Sequence, residues 1–282
     1  MIKKSASVVN NSLGKIDVDI KDAIIKASDE VIAGKHDDQF VVDIFQTGSG
    51  TSTNMNVNEV LATIANTFIK DKKNLIHPND HINMGQSSND VIPTAIHISS
   101  LIAVEKKLIP SLIKLESAIS VKVKEFNKIL KIGRTHLQDA TPITLGQEFS
   151  AYAEMIKKST NRINITKKSL KRLAQGGTAV GTGINTHHKF GAMVAKEISK
   201  YTNENFIKTP NHFEAQSSQD TAVEFSGSLK SLAVCLNKIA NDIRWLASGP
   251  RSGLGELIIP SVQPGSSIMP GKVNPTQCEA MT

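Results

Sequence analysis

Four stretches of this sequence concentrate groups able to hold and act on a small anion. Residues 265–274, GSSIMPGKVN, place two adjacent hydroxyls, an ammonium and an amide between glycines, just after Pro260 and Pro264. Glycine permits backbone conformations and close approaches that other residues resist, so the run reads as a mobile polar loop. A surface turn between helices has the same composition, and the stretch alone leaves both readings open. Residues 46–59 crowd hydroxyls and amides around Gly48 and Gly50 and lead into an apolar-periodic segment. Ser49, Gly50 and Thr51 then fall beside the free amides of a helix N-terminus, which favour a carboxylate or phosphate, with a plain capping turn as the alternative. Residues 85–90 repeat the theme with Ser87, Ser88 and Asn89; Asn89 or Asp90 reads as the N-cap and Pro93 falls in the first turn. Residues 133–142 set Arg134, Thr135 and His136 side by side, and histidine titrates near neutrality, which suits proton transfer.

Together with Glu279, these groups suit a small polar dianion held by many hydrogen bonds while a proton moves at a weakly acidic carbon. Removing a proton beside a carboxylate builds a doubly charged aci-carboxylate, which positioned donors stabilise. One group takes the carbon proton and another assists the departing group.

Other chemistries find little support. The sequence has no carboxylate cluster for a divalent metal and no cofactor fingerprint, so neither metal nor cofactor is expected. His77 and His81 share a four-residue zinc spacing, but Pro78 interrupts a regular helix and no third ligand is evident. His36 beside Asp37 and Asp38 reads as a solvated turn. Residues 46–59 lack the Lys-Ser/Thr ending of a phosphate-binding loop, and Gly181-Thr182-Gly183 lacks the preceding strand of a dinucleotide fold. Two cysteines are too few for a disulfide scaffold or a thiolate cluster. The net charge of +7 comes from scattered lysines without interleaved aromatics, which argues against nucleic acid. With neither an apolar run of spanning length nor an apolar signal segment after Met1, no membrane association is expected and the location reads as cytoplasmic.

The elements that must position these groups are mostly helices. Two pieces are expected within residues 1–33, broken near Asn10, Asn11 and Gly14; residues 40–45 read as extended; a helix follows from Val57 to Phe68. Apolar steps of three to five run from about Asp90 to Lys131, with Pro110 as a kink or junction. Further long patterns span about 144–173 and 222–246, the last through Phe225, Leu229, Leu232, Leu236, Ile239, Ile243 and Leu246. Helices of this length suit an elongated, self-associating all-α bundle, which a nonenzymatic scaffold would share.

GSSIMPGKVNP at 265–275 resembles the signature of the fumarase/aspartase superfamily, and the chain resembles its class II fumarase family throughout. GRTHLQDATP at 133–142 resembles fumarases, whereas aspartases usually carry glutamine in place of His136. HPND at 77–80 and QSSND at 86–90 also look like fumarase; GTSTNMN at 50–56 is common to both. The resemblance implies a lyase of the tricarboxylic acid cycle that reversibly hydrates fumarate to (S)-malate, with aspartate ammonia-lyase as the alternative. It implies Ser266 as the base at carbon, His136 as a proton donor or acceptor working through water, and Glu279 as support for its charge. Ser49, Gly50, Thr51, Ser87, Ser88, Asn89, Thr135, Ser267, Lys272, Val273 and Asn274 would bind substrate. His77, Pro78, Asn79 and Asp80 would form an accessory dicarboxylate site.

The same resemblance implies a homotetramer whose active sites are shared among subunits around a twenty-helix bundle. Residues 1–89 would be part of an N-terminal, mixed but mainly helical domain and residues 90–282 an incomplete central bundle, with the C-terminal domain absent. The expectation is therefore a fragment short at both ends that aggregates or is inactive alone.

Overall fold

The computed structural model describes residues 1–70 and 75–282; Asn74, at the start of the polar run before His77, lies outside the described residues. In chain order the first helices are α1 (Ile2–Ser12), α2 (Val18–Ile32), α3 (Thr51–Phe68), α4 (Ser88–Ala103) and α5 (Ile109–Glu125). An antiparallel hairpin follows, β1 (Leu130–Thr135) with β2 (Gln138–Thr144), and then α6 (Leu145–Thr166). The remainder comprises β3 (Arg172–Leu173), α7 (Phe190–Thr202), β4 (Ile207–Lys208), α8 (His212–Ser217), α9 (Asp220–Leu246) and α10 (Thr276–Met281). The architecture is mainly α-helical with long helices, as the apolar periodicity predicts.

The chain divides into two compact units, each built from two stretches: Met1–Val104 with Lys167–Val223, and Glu105–Thr166 with Glu224–Thr282. The boundary expected between residues 89 and 90 falls inside the first unit. There the Asp90 carboxylate accepts from the backbone amides of Gly176 and Thr178, which ties α4 to a distant loop.

In the first unit Ile24 and Ala27 of α2 are buried with Leu61, Ala62 and Ala65 of α3, and Ile76 and Ile82 complete this core. Each large aliphatic side chain buried in this way stabilises the fold by about 1.5–3 kcal/mol relative to exposure. Asn66 of α3 fixes the chain entering the His77 turn: its amide nitrogen donates to Ile76 O at 3.0 Å and its oxygen accepts from Ile76 N at 2.7 Å.

In the second unit the start of α6 is tied to the end of α5, because Leu145 N donates to Ile129 O at 2.9 Å and Gly146 N to Phe126 O at 3.0 Å. Phe126 and Phe149 meet edge to face with ring centres 5.1 Å apart. Tyr152 of α6 donates to Asp242 of α9 at 3.1 Å. Along α9 the buried Phe225, Leu232, Ile239 and Leu246 recur every seven residues, the spacing of a helix seam.

Three expected elements differ. The long helix from Asp90 widens into a π turn at Val104–Leu108 and resumes as α5, which stops at Glu125. Pro110 lacks an N–H and its ring crowds the carbonyl four residues back, so the turn before it loosens. The pattern read through Lys131 is interrupted by the hairpin, because isolated apolar residues such as Ile129 fit a strand end equally well. The helix expected to reach residue 173 ends at Thr166, and Arg172 pairs instead in parallel with Ile207. Residues 40–45 form no strand; Ile44 and Phe45 are 84% and 91% exposed, with no sheet edge to receive them.

Candidate active site

In the first unit two helix N-termini meet. Gly50 caps α3 in the left-handed region at φ 64°, and Thr51 is the first helical residue. A Cβ at Gly50 would lie 2.7 Å from Ile92 Cδ1, so both the backbone angle and the approach of α4 require glycine here. A line of hydroxyls crosses the junction: Thr47 to Ser49 at 2.9 Å, Ser49 to Thr51 at 3.3 Å, and Thr51 to Ser88 at 3.2 Å. Ser49, Thr51 and Ser88 are thus brought together where two sets of free helix amides favour negative charge.

The N-cap of α4 is Ser87, in place of the expected Asn89 or Asp90. Its hydroxyl accepts from Asn89 N at 3.2 Å, while Asp90 accepts from Ser87 N at 2.9 Å, a reciprocal capping box. The other Asp90 oxygen accepts from Gly176 N at 3.0 Å and Thr178 N at 2.9 Å. Burial pushes the Asp90 carboxyl up to about 6, against the lowering effect of those amides and of Lys3. Burial likewise lowers Lys3 to about 7, opposed by the charge of Asp90, and its ammonium donates to Asn83 at 2.7 Å. Asn89 turns its amide nitrogen to Ala179 O at 2.7 Å. Asp90 is therefore the hidden support of the Ser87-Ser88-Asn89 segment, which its sequence position suggested only as a cap.

His77, Pro78, Asn79 and Asp80 sit together at the start of a π turn, Pro78–Ile82, with His77 as its cap. His77 Nδ1 lies 3.3 Å from the amides of Asn79 and Asp80 and 3.1 Å from the Asp80 carboxylate. One ring nitrogen cannot serve both: unprotonated it accepts from the amides, and protonated it donates to the carboxylate. His77 N donates to His81 Nδ1 at 2.8 Å, which commits that His81 nitrogen to accepting. Among the described residues no group of three or more histidine, cysteine or acidic side chains is arranged to hold a metal ion.

In the second unit Thr135 ends β1, and His136 and Leu137 form the two-residue turn, both left-handed at φ 54° and 61°. Turns of this hand usually use Asn-Gly; histidine tolerates the region, whereas leucine there costs about 1–3 kcal/mol. The hairpin base is charged. Lys131 Nζ lies 2.5 Å from Glu148 and 2.6 Å from Glu256 Oε2, and Arg134 bonds Glu256 Oε1. Burial alone would raise the Glu256 carboxyl, but the Arg134 and Lys131 bonds and charges hold it below the ordinary range. The Glu256 bond in turn raises Arg134. The sequence left residues 133–142 between two long helical patterns, with no sign of the hairpin or its charge network beyond the brief alternation of Leu130 and Ile132 about Lys131.

The loop at 265–274 closes upon itself. A Cβ at Gly265 would lie 2.0 Å from Lys272 O, and Asn274 donates to Gly265 O at 2.8 Å, so the neck admits no side chain at 265. Ser266 accepts from Ile268 N at 3.3 Å, and Ser267, Lys272 and Val273 are exposed. Glu279 lies exposed on α10. Among the described residues no hydrogen bond joins His136 to Glu279 or to Ser266.

A family model described as a lyase matches residues 1–282. Class II fumarate hydratase of Bacillus cereus is 56% identical over 284 residues, covering 100% of this chain and 62% of the relative. Its counterpart from Campylobacter jejuni is 57% identical over 285 residues, covering 100% of this chain and 61% of the relative. The crystal structure of recombinant class II fumarase from Schistosoma mansoni superposes with a TM-score of 0.95 at 42% identity, covering 99% of this chain and 62% of that one. This chain therefore spans less than two thirds of the length of these relatives. With its full length matched by the family model and its long helices superposing on a solved member, the chain belongs to the lyase family, within the fumarase/aspartase superfamily.

Proposed function

We propose that this chain carries active-site segments of a class II fumarate hydratase, which reversibly hydrates fumarate to (S)-malate. The observation that carries the reading is the hydroxyl line from Ser49 through Thr51 to Ser88 at two helix N-termini, a receptor for a small carboxylate. Gly50, Ser87, Asn89, Thr135, Ser267, Lys272, Val273 and Asn274 complete the substrate contacts, and His77, Pro78, Asn79 and Asp80 form a separate dicarboxylate site. In dehydration Ser266 Oγ, as the alkoxide, takes the proton from carbon, and the electron pair enters the adjacent carboxylate. The hydroxyl then leaves as water with a proton delivered through His136, whose charge Glu279 supports; hydration reverses each transfer. Such a serine base needs a closed, dry loop with Lys272 opposite the developing charge.

The exposed apolar residues Ile113, Val121, Val234 and Trp245 on α5 and α9 favour a homotetramer in which segments of several copies share each site. Among the described residues no helix is long and apolar enough to cross a membrane, and the proposed location is the cytoplasm. Loss of fumarate absorbance is followed in water and then with added ammonium. Hydration alone supports the reading; addition of ammonia indicates an aspartase and overturns it.

A further inference from the structure

We propose that Glu256 is a positioning residue for His136, an inference that rests on the proton-transfer role given to that histidine. The hairpin holds His136 in a turn whose second residue, Leu137, is left-handed without being glycine or asparagine, so something outside the turn must hold it. Glu256 is well placed to do so. Its backbone N donates to Leu246 O at 2.8 Å, and Leu257 N donates to the same oxygen at 3.0 Å, which anchors the segment to the end of α9. Its carboxylate receives Arg134, two residues before His136, and Lys131, which also reaches Glu148 on α6.

Residues 131 and 134 of a regular strand point to opposite faces, yet both cations reach the one carboxylate, Lys131 at Oε2 and Arg134 at Oε1. The pairing is irregular here: between the Ile132–Pro142 and Arg134–Asp139 pairs the extra residue lies on β2, opposite Gly133. The Lys131 side chain is only 8% exposed, so its charge is matched within the fold rather than by solvent. Loss of the carboxylate would release β1 beside the reacting group while leaving the α6 and α9 cores intact.

Glu256→Gln keeps the shape and cancels the charge. In the full chain we expect kcat for fumarate hydration to fall about 10–100-fold with KM changed less than about threefold. Amides of residues 131–144 should exchange about tenfold faster while those of α6 and α9 keep their rates. Glu256→Asp, which retains the charge, should recover part of kcat. A kcat within about twofold of wild type overturns the proposal, as does accelerated exchange throughout α6 and α9, which marks a general stability role. Should the wild-type chain hydrate no fumarate by itself, exchange alone decides the clamp: acceleration confined to the hairpin supports it and unchanged hairpin exchange overturns it.

Discussion

Asp90→Asn removes a buried charge and almost nothing else, which makes it the sharpest probe of what holds the Ser87-Ser88-Asn89 segment in place. The carboxylate accepts from three backbone amides, Ser87 at 2.9 Å, Gly176 at 3.0 Å and Thr178 at 2.9 Å. Hydrogen bonds to a charged group contribute about 1.5–3 kcal/mol each, so the three amount to roughly 5–9 kcal/mol. Against this stands the cost of keeping the charge inside. Burial raises the carboxyl from 3.8 to about 6 despite the amides and Lys3. At pH 7 that shift corresponds to about 3 kcal/mol against the ionised fold. An asparagine can turn its oxygen to Gly176 and Thr178 and keep two neutral bonds of about 1 kcal/mol each, but its NH2 then faces the Ser87 N–H. Since that cost of about 3 kcal/mol is already net of the amides and Lys3, the charge opposes the fold near neutral pH, and the difference between the two proteins shows in its pH dependence.

The pH dependence follows from the raised folded value: stability from this group is fully present below about pH 4 and is lost as pH rises through about 6. From pH 6 toward pH 4 the wild type should gain about 1 kcal/mol per unit over the variant, which cannot titrate at position 90. Urea unfolding of both proteins at pH 8, 6 and 5, followed by circular dichroism, measures the difference directly. A difference between the two proteins that does not grow in favour of the wild type between pH 8 and pH 5 would refute the clamp.

Gly50→Ala should lower stability by about 1–3 kcal/mol, through its positive φ and the clash with Ile92. Ile92→Val in the same chain should recover part of the thermal midpoint; no initial drop would mean that the α3–α4 approach is looser than described. Leu137→Val places a β-branched residue in a left-handed turn and should cost about 1–2 kcal/mol, whereas Leu137→Gly should not. Equal unfolding midpoints for the two would contradict the strained turn. Ser266→Ala should depress fumarate turnover by about 100-fold or more while leaving the circular dichroism spectrum unchanged. Near-normal turnover would remove Ser266 as the base.

The long helices were legible because burial repeats along them at helical spacing, as Phe225, Leu232, Ile239 and Leu246 show. Residues 265–274 were equally legible as a loop, since glycines and prolines punctuate the chain locally. Ser49, Thr51 and Ser88 could be named from composition, but only folding decides that α3 and α4 begin side by side and join their hydroxyls. The same holds for Asp90 and Gly176, which are 86 residues apart, and for Arg134 and Glu256, which are 122 apart. Periodicity and turn chemistry are short-range properties written along the chain. A buried carboxylate finds its donors, and a strand's cations their counter-charge, only when distant segments are packed together, because only then must each charge removed from water be matched by a partner.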